Sequence, residues 1–276
     1  MKDEFYIGWQ DKAPVSYAQK IRQWILLMIF IIPAVSALLV LGQRPFADST
    51  FEITQLRTME GILIREPIPC LKMPLGSDAK GIQQFQRILL IGFGKKSAGP
   101  TLDAIERAQG QILNGKSVKL AGKLIYVDGT LAMELTEGLQ TFKGFSEVPD
   151  APSLHLSLGE ATLRGEILDP KCYLGVMRPG EGKPHRSCAI RCLEGGIPPF
   201  FKITTQEDAR QYFFLLDAHG QPVHDKIARY VADEVQLCGA IEQWDDWYIL
   251  KIDVSEGLQR LRPYWAKDQH LRMCNN

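Results

Sequence analysis

The sequence predicts a mainly β protein with one N-terminal transmembrane helix and two tandem OB-like Greek-key barrels. Three observations lead to this fold class. An uncharged apolar run lies near the N-terminus, short apolar strands alternate with turn signals after it, and this strand pattern occurs twice. The composition, 45% hydrophobic and 23% charged over 276 residues, is typical of a folded chain rather than a disordered one.

The transmembrane helix is predicted over 24–42. The run WILLMIFIIPAVSALLVLG carries no charge, and at about 1.5 Å per residue it is just long enough to cross a hydrocarbon core of about 30 Å. Pro33 is compatible with a membrane helix. The alternative is a buried core helix, but such a helix usually has a polar face, and this run offers only Ser36.

The flanking basic residues predict an orientation. Four of them precede the run and one closely follows it: Lys2, Lys12, Lys20, Arg22 and Arg44. By the positive-inside rule, 1–23 is a cytoplasmic leader and the later residues lie on the periplasmic side of a bacterial inner membrane. A cleaved signal peptide is the alternative, because Val35-Ser36-Ala37 resembles a cleavage site. The long leader of mixed charge favours retention as an anchor.

The first OB-like domain is predicted over 51–141. Its strands are expected at 61–64, 87–92, 118–127 and 130–135. A Pro-rich turn follows the first strand near Pro67, and a helix is expected over 101–113. Asp128-Gly129 joins the last two strands as a strong hairpin turn.

The second OB-like domain, 161–260, repeats this order. Its strands are expected at 165–168, 212–216, 234–243 and 247–253, with a helix over 222–230. Gly122, Asp128 and Leu131 lie 117 residues before Gly239, Asp245 and Tyr248, so the two closing hairpins match without gaps. Two unrelated β-domains are the alternative. The interval 142–160 is predicted as a linker and 261–276 as a C-terminal tail.

A Cys/His cluster in the second domain is the candidate site. If the chain after Pro184 is helical, His185, Cys188 and Cys192 share one helix face, and Gly195-Gly196 ends that helix. Cys172, at the end of the preceding strand, could complete the set. Three cysteines and one histidine suit tetrahedral zinc, and soft thiolates also suit copper(I). An iron centre is a further alternative for the same ligands.

A disulfide is the competing interpretation of the same cysteines. Cysteines of exported proteins tend to be oxidised, so Cys172 could be bonded to Cys188 or to Cys192. A bond between Cys188 and Cys192 is disfavoured by the side-chain directions within one helix. In that case the disulfide would fix the segment that carries these cysteines to the barrel, and His185 would have no ligand role.

The segment also carries a resemblance. The pattern is Gly165-x-x-x-Asp169-x-x-Cys172, a spacer, His185-x-x-Cys188-Ala189-x-x-Cys192 and then Gly195-Gly196. It resembles a family of small bacterial exported OB-like domains of unknown function over about 161–253, and departs from it in the long insert 173–184. The resemblance implies the fold and an exported location, and it implies no activity.

Charge and motifs predict the partners. The 32 basic and 32 acidic side chains cancel, with a pI near 7.0, so the chain lacks the basic footprint of a nucleic-acid binder and no nucleic-acid partner is predicted. No catalytic triad, zinc-protease helix or nucleotide fingerprint is present, and the 92–97 loop GFGKKS does not fit the P-loop spacing. The chain is therefore not expected to be an enzyme.

The sequence predicts a non-catalytic accessory or scaffold subunit, anchored in the membrane and associated with other subunits of a membrane complex. The alternative is a metal-binding or redox-associated protein that uses Cys172, His185, Cys188 and Cys192 for zinc or copper. Recognition of a saccharide by a barrel face is a third hypothesis.

Overall fold

The computed structural model describes residues 14–42, 49–77, 79, 81, 83–148, 153–204 and 211–261. The chain forms two compact units, 1–46 and 47–276. Most of the leader predicted at 1–23 and of the tail predicted at 261–276 lies outside the described residues. The predicted domain boundaries stay predictions.

The first unit contains one helix, α1, Val15–Gly42. Its 28 residues extend about 42 Å at 1.5 Å per residue, and none of its side chains is buried. It begins before the predicted start at Trp24 and contains Pro33. By length and composition it is apolar enough to cross a membrane.

The second unit is mainly β and begins with a closed five-stranded barrel. Strands β2, β3, β4, β6 and β5 pair in that order, and β5 returns to β2, so the ring has no open edge. All neighbours are antiparallel except β4 and β6. The elements are β1 Thr50–Phe51, β2 Arg57–Ile64, β3 Cys70–Ser77, β4 Gln83–Gly92, α2 Gly99–Gln109, β5 Ser117–Val127, β6 Thr130–Leu135 and β7 Phe142–Phe145.

The following strands pair in the same cyclic order. Strands β8, β9, β10, β12 and β11 form a ring in which only β10 and β12 are parallel. A helix, α3, is inserted between its first two strands. The elements are β8 His155–Leu168, α3 Arg186–Glu194, β9 Phe200–Ile203, β10 Tyr212–Asp217, α4 His224–Ile227, β11 Glu234–Trp244, β12 Trp247–Ile252 and β13 Leu258–Arg260.

The two closing hairpins have equivalent registers. Lys123 pairs with Glu134 in the first, and Ala240 pairs with Lys251 in the second. Both partners of the second pair lie 117 residues after those of the first. Asp128 and Asp245, which begin the two turns, have φ of 48° and 53°. The positive φ values are those that two-residue hairpin turns require.

Several elements differ from the predicted ones. Strand β3, which follows the predicted Pro-rich turn near Pro67, was not predicted; it contains Pro74, and only its first three residues are buried. Strands β7 and β8 occupy parts of the predicted linker 142–160. Helix α2 ends at Gln109 because Gly110 adopts a left-handed φ of 67°, which terminates a helix.

The barrel and the following ring of strands share one apolar cluster. It includes Leu89 and Ile125 of the barrel and Phe200, Phe214 and Trp247 of the following strands. Buried ion pairs cross the same boundary: Arg87 Nε lies 2.8 Å from Asp245 Oδ2, and Lys171 pairs with Glu134. The candidate site described next lies beside this boundary and uses side chains from both sides of it.

Candidate metal site beside the barrel boundary

Two segments, called arms here, carry the site. The first arm is the turn that follows β8 and contains Asp169 and Cys172. Asp169 Oδ1 accepts a hydrogen bond from the Cys172 backbone N–H at 2.9 Å. Such a bond from an aspartate to the backbone three residues later bends the chain into a turn. A short π-helical turn, Cys172–Val176, follows and leaves the Cys172 side chain buried. Cys172 therefore lies in this turn rather than at the end of the strand.

The second arm is α3 and the residue before it. A one-turn 3-10 helix, Lys183–His185, leads directly into α3. His185 immediately precedes α3, and Cys188 and Cys192 lie on successive turns of it. The helix ends at Glu194, before Gly195 and Gly196, as the sequence indicated. Gly196 has a φ of 84°, a conformation that favours glycine.

The structure places the four predicted residues in two overlapping groups rather than in one. The ligand atoms of Cys172, His185 and Cys188 lie within 4.8 Å of one another, and so do those of Asp169, Cys172 and Cys192. The two groups share Cys172. The Cys172 and Cys188 sulfurs are 3.8 Å apart, and all three cysteines are free thiols. Asp169 belongs to the sequence pattern that begins at Gly165, but it was not predicted as a site residue.

The His185 ring is buried with one nitrogen unpaired. Its Nε2 lies 2.8 Å from Asp169 Oδ2, and the two residues are 2% and 0% exposed. Because a carboxylate only accepts, it holds the proton on Nε2 and leaves the lone pair on Nδ1. That Nδ1 has no hydrogen-bond partner among the described residues. A carboxylate that orients a histidine in this way is typical of metal-ligating histidines.

The cysteine pair has opposite pKa shifts. A hydrogen bond from the Cys172 thiol lowers the pKa of Cys192, and the nearby Lys95 and Lys171 ammonium groups lower it further. The same hydrogen bond, with burial and the Asp169 carboxylate, raises the pKa of Cys172. Cys172 therefore retains its proton more strongly than Cys192 does. A metal bound by Cys172 would have to displace this proton.

Lys95 of the first barrel contacts the cluster. Its Nζ donates to Cys188 Sγ at 2.8 Å, and this hydrogen bond raises the pKa of Lys95. The contact depends on the 92–97 turn, which the sequence excluded as a phosphate loop. The Ser97 backbone N–H donates to Gly195 O at 2.8 Å, so the turn is joined to the end of α3.

Met177 is a second contact that the sequence did not indicate. Its Sδ lies 3.4 Å from Cys188 Sγ, and the residue is 43% exposed. Its backbone N–H donates to Cys172 O at 3.4 Å. The thioether is thus placed beside the thiols by the same turn that carries Cys172.

Gly195 is predicted to be intolerant of a side chain. A Cβ added there would lie 1.7 Å from Lys95 O. We expect Gly195→Ala to separate α3 from the 92–97 turn and to lower the free energy of unfolding by about 2 kcal/mol or more, as overpacking does. The measurement is denaturant unfolding of the detergent-solubilised chain. Gly99→Ala is the control, since its Cβ meets only Ser97 Oγ, at 3.5 Å. Equal effects of the two variants would contradict the prediction.

Comparisons with known proteins give little further information. The chain matches no protein-family model and no curated protein. A solved structure to which it is similar is a mutant of the single-stranded DNA binding protein from Thermus aquaticus. The likeness covers 80% of this chain and 91% of that chain, with 10% identity and a TM-score of 0.22.

This finding corrects the exclusion of nucleic acid. The structure matched belongs to a protein that binds single-stranded DNA, so the prediction of no nucleic-acid partner was wrong. The error has a physical reason, since net charge sums the whole chain and does not describe any one surface. At a TM-score of 0.22 the likeness does not assign that protein's activity to this chain.

Proposed function

We propose that this protein is a membrane-anchored, extracytoplasmic metal-binding protein, and that its ion is bound by Cys172, His185, Cys188 and Cys192. The observation that carries the proposal is the buried His185 ring. Asp169 occupies its Nε2, and its Nδ1 has no partner among the described residues. Buried polar atoms are nearly always satisfied, so an unpaired imidazole nitrogen in a group of thiols points to a ligand.

The sulfur spacing supports a shared metal. Two thiolates bound at about 2.3 Å to one tetrahedral ion are about 3.8 Å apart. The Cys172 and Cys188 sulfurs are separated by 3.8 Å. The sulfurs of a disulfide are only about 2.05 Å apart. A disulfide between these cysteines would also leave His185 Nδ1 without a role.

The fold and the location belong to the same proposal. In each half the third and fifth barrel strands are parallel and a helix precedes the fourth, which supports a tandem pair of OB-like barrels. Cys238 is disulfide-bonded, and disulfides are typical of proteins outside the cytoplasm. The helix α1 and the basic residues before it support an anchor in the inner membrane with a cytoplasmic N-terminus.

An accessory role in a membrane complex is a second candidate, and a specific surface favours it. Leu154, Leu156 and Leu158 are exposed at alternating positions around the start of β8. Leu156 pairs with Gln243, which pairs with the exposed Tyr248, so Tyr248 lies on the same face of the sheet two strands away from the leucines. Contiguous exposed apolar surface is typical of contact sites for other proteins.

Metal content tests the proposal. We expect the detergent-purified chain, reduced and reconstituted with zinc or copper(I), to retain about one ion after desalting, and Cys188→Ser to lose most of it. Cys70→Ala is the control, because Cys70 is also a free thiol but belongs to neither ligand group. Elemental analysis with thiol counting is the measurement.

The opposite result is equally clear. A wild-type chain that retains no metal, and whose cluster thiols are blocked until reductant is added, would make the cluster a disulfide staple. Loss of metal in Cys70→Ala to the same degree as in Cys188→Ser would show that the retained ion is elsewhere or that binding follows overall stability.

A further inference from the structure

We propose that the ion is copper(I) and that Met177 is its fourth ligand in place of Cys192, which lies in the group with Asp169 and not in the group with His185 and Cys188. This ligand set selects copper(I) over zinc. This inference rests on the proposed metal-binding function. The juxtaposition that carries it is the Met177 thioether 3.4 Å from the Cys188 sulfur, beside Cys172 and His185.

The position of Met177 is unusual for a methionine. Methionine side chains ordinarily fill irregular gaps in apolar cores. Met177 is 43% exposed, and its sulfur lies against a thiol instead. Its backbone N–H donates a hydrogen bond to Cys172 O, so one turn carries both the Met177 and the Cys172 side chains. The placement brings a second kind of sulfur donor, a thioether, to the edge of the ligand group.

Ligand chemistry then separates the two candidate ions. Zinc in proteins is bound by cysteine, histidine and carboxylates, and a neutral thioether adds little to such a site. Copper(I) is a soft ion that thiolates and thioethers select together. A set of Cys172, Cys188, Met177 and the His185 imidazole contains three sulfurs and no carboxylate ligand, because Asp169 is bonded to His185.

Charge favours the same ion. The Lys95 ammonium lies 2.8 Å from Cys188 Sγ, on the side of the cluster formed by the 92–97 turn. A fixed positive charge repels a divalent ion twice as strongly as a monovalent ion at the same distance. The buried Lys171 ammonium is paired with Glu134, so its charge is largely compensated. Lys95 therefore opposes zinc more than copper(I).

Met177→Leu tests the inference because leucine keeps the apolar volume and removes the sulfur. Both affinities are measured on the detergent-purified full chain. Copper(I) is competed against a chromophoric copper(I) chelator under anaerobic reducing conditions, and zinc against a chromophoric zinc chelator. We expect the copper(I) affinity to fall about tenfold or more and the zinc affinity to change less than about twofold. Met73→Leu, on β3 of the first barrel, is the control and should change neither.

X-ray absorption at the copper edge provides a second readout. Met177→Leu should remove one sulfur from the copper coordination, and Met73→Leu should not. Unchanged copper(I) binding in Met177→Leu, equal losses for both ions, or a wild-type chain that binds zinc but not copper(I) would each overturn the inference. In the last case the proposed metal function would stand. Failure of the wild-type chain to bind either ion would instead overturn the proposed function, and the inference with it.

Discussion

Asp169→Asn is expected to weaken metal binding about 10- to 100-fold without unfolding the protein, as loss of a carboxylate that orients a histidine ligand does. Asp169 accepts two hydrogen bonds, from the Cys172 backbone N–H at 2.9 Å and from His185 Nε2 at 2.8 Å. Asparagine can keep the first through its carbonyl oxygen. It then directs its NH₂ group at His185, where a donor would meet a donor.

The histidine can resolve that conflict by moving its proton. If Nε2 becomes the acceptor, Nδ1 carries the hydrogen and no longer offers a lone pair to an ion. The change is confined to a proton and one side-chain atom, so the turn at Cys172 should survive. Loss of affinity with retained secondary structure would separate this effect from simple unfolding.

Chelator competition measures the affinity, and the ¹⁵N spectrum of the imidazole in the metal-free chain reports which nitrogen carries the proton. Asp253→Asn is the matched control, because Asp253 also closes a turn by accepting a backbone N–H, that of Ser255 at 2.8 Å, but belongs to neither ligand group. Wild-type affinity in Asp169→Asn, or an equal loss in Asp253→Asn, would contradict the role assigned to Asp169.

Local patterns were sufficient to predict the helical arm of this site. The spacing of His185, Cys188 and Cys192 depends only on the helix period, and the glycines at 195 and 196 end the helix through their own conformational freedom. The closing hairpins were equally accessible, since Asp128-Gly129 and the constant separation of 117 residues are local signals. Strand β3 could not be predicted in this way. It contains a proline and is half exposed, and its pairing with β2 and β4 outweighs these unfavourable local features.

The contacts that give the site its chemistry are long-range. Lys95 and Cys188 are 93 residues apart in the chain, and Lys171 and Glu134 are 37 apart. No periodicity encodes such contacts, which depend on how the two halves of the β-rich unit pack against each other. Met177 is closer to the cysteines in sequence. However, it follows an irregular turn in an insert rich in glycine, proline and lysine, where sequence patterns do not indicate side-chain direction.

Lys171→Met is expected to lower the free energy of unfolding by about 3–5 kcal/mol, which is the cost of breaking a buried ion pair from one side. The Lys171 ammonium is buried, pairs with Glu134 and donates to Gly92 O at 3.0 Å and to Gly94 O at 2.5 Å. Methionine fills a similar volume but leaves the buried Glu134 carboxylate without this cation.

The double variant Lys171→Met/Glu134→Leu should recover most of that loss, because replacing both charges with apolar groups is often nearly neutral. Lys119→Met is the control. Lys119 pairs with Glu60 at 2.7 Å in the barrel that contains Glu134, but the two side chains are 39% and 46% exposed. An exposed pair contributes only about 0–1 kcal/mol. Denaturant unfolding of the detergent-solubilised chain measures all three variants. If Lys171→Met were no more damaging than Lys119→Met, the buried pair would not be what joins β6 and the 92–97 turn to the arm that carries Cys172.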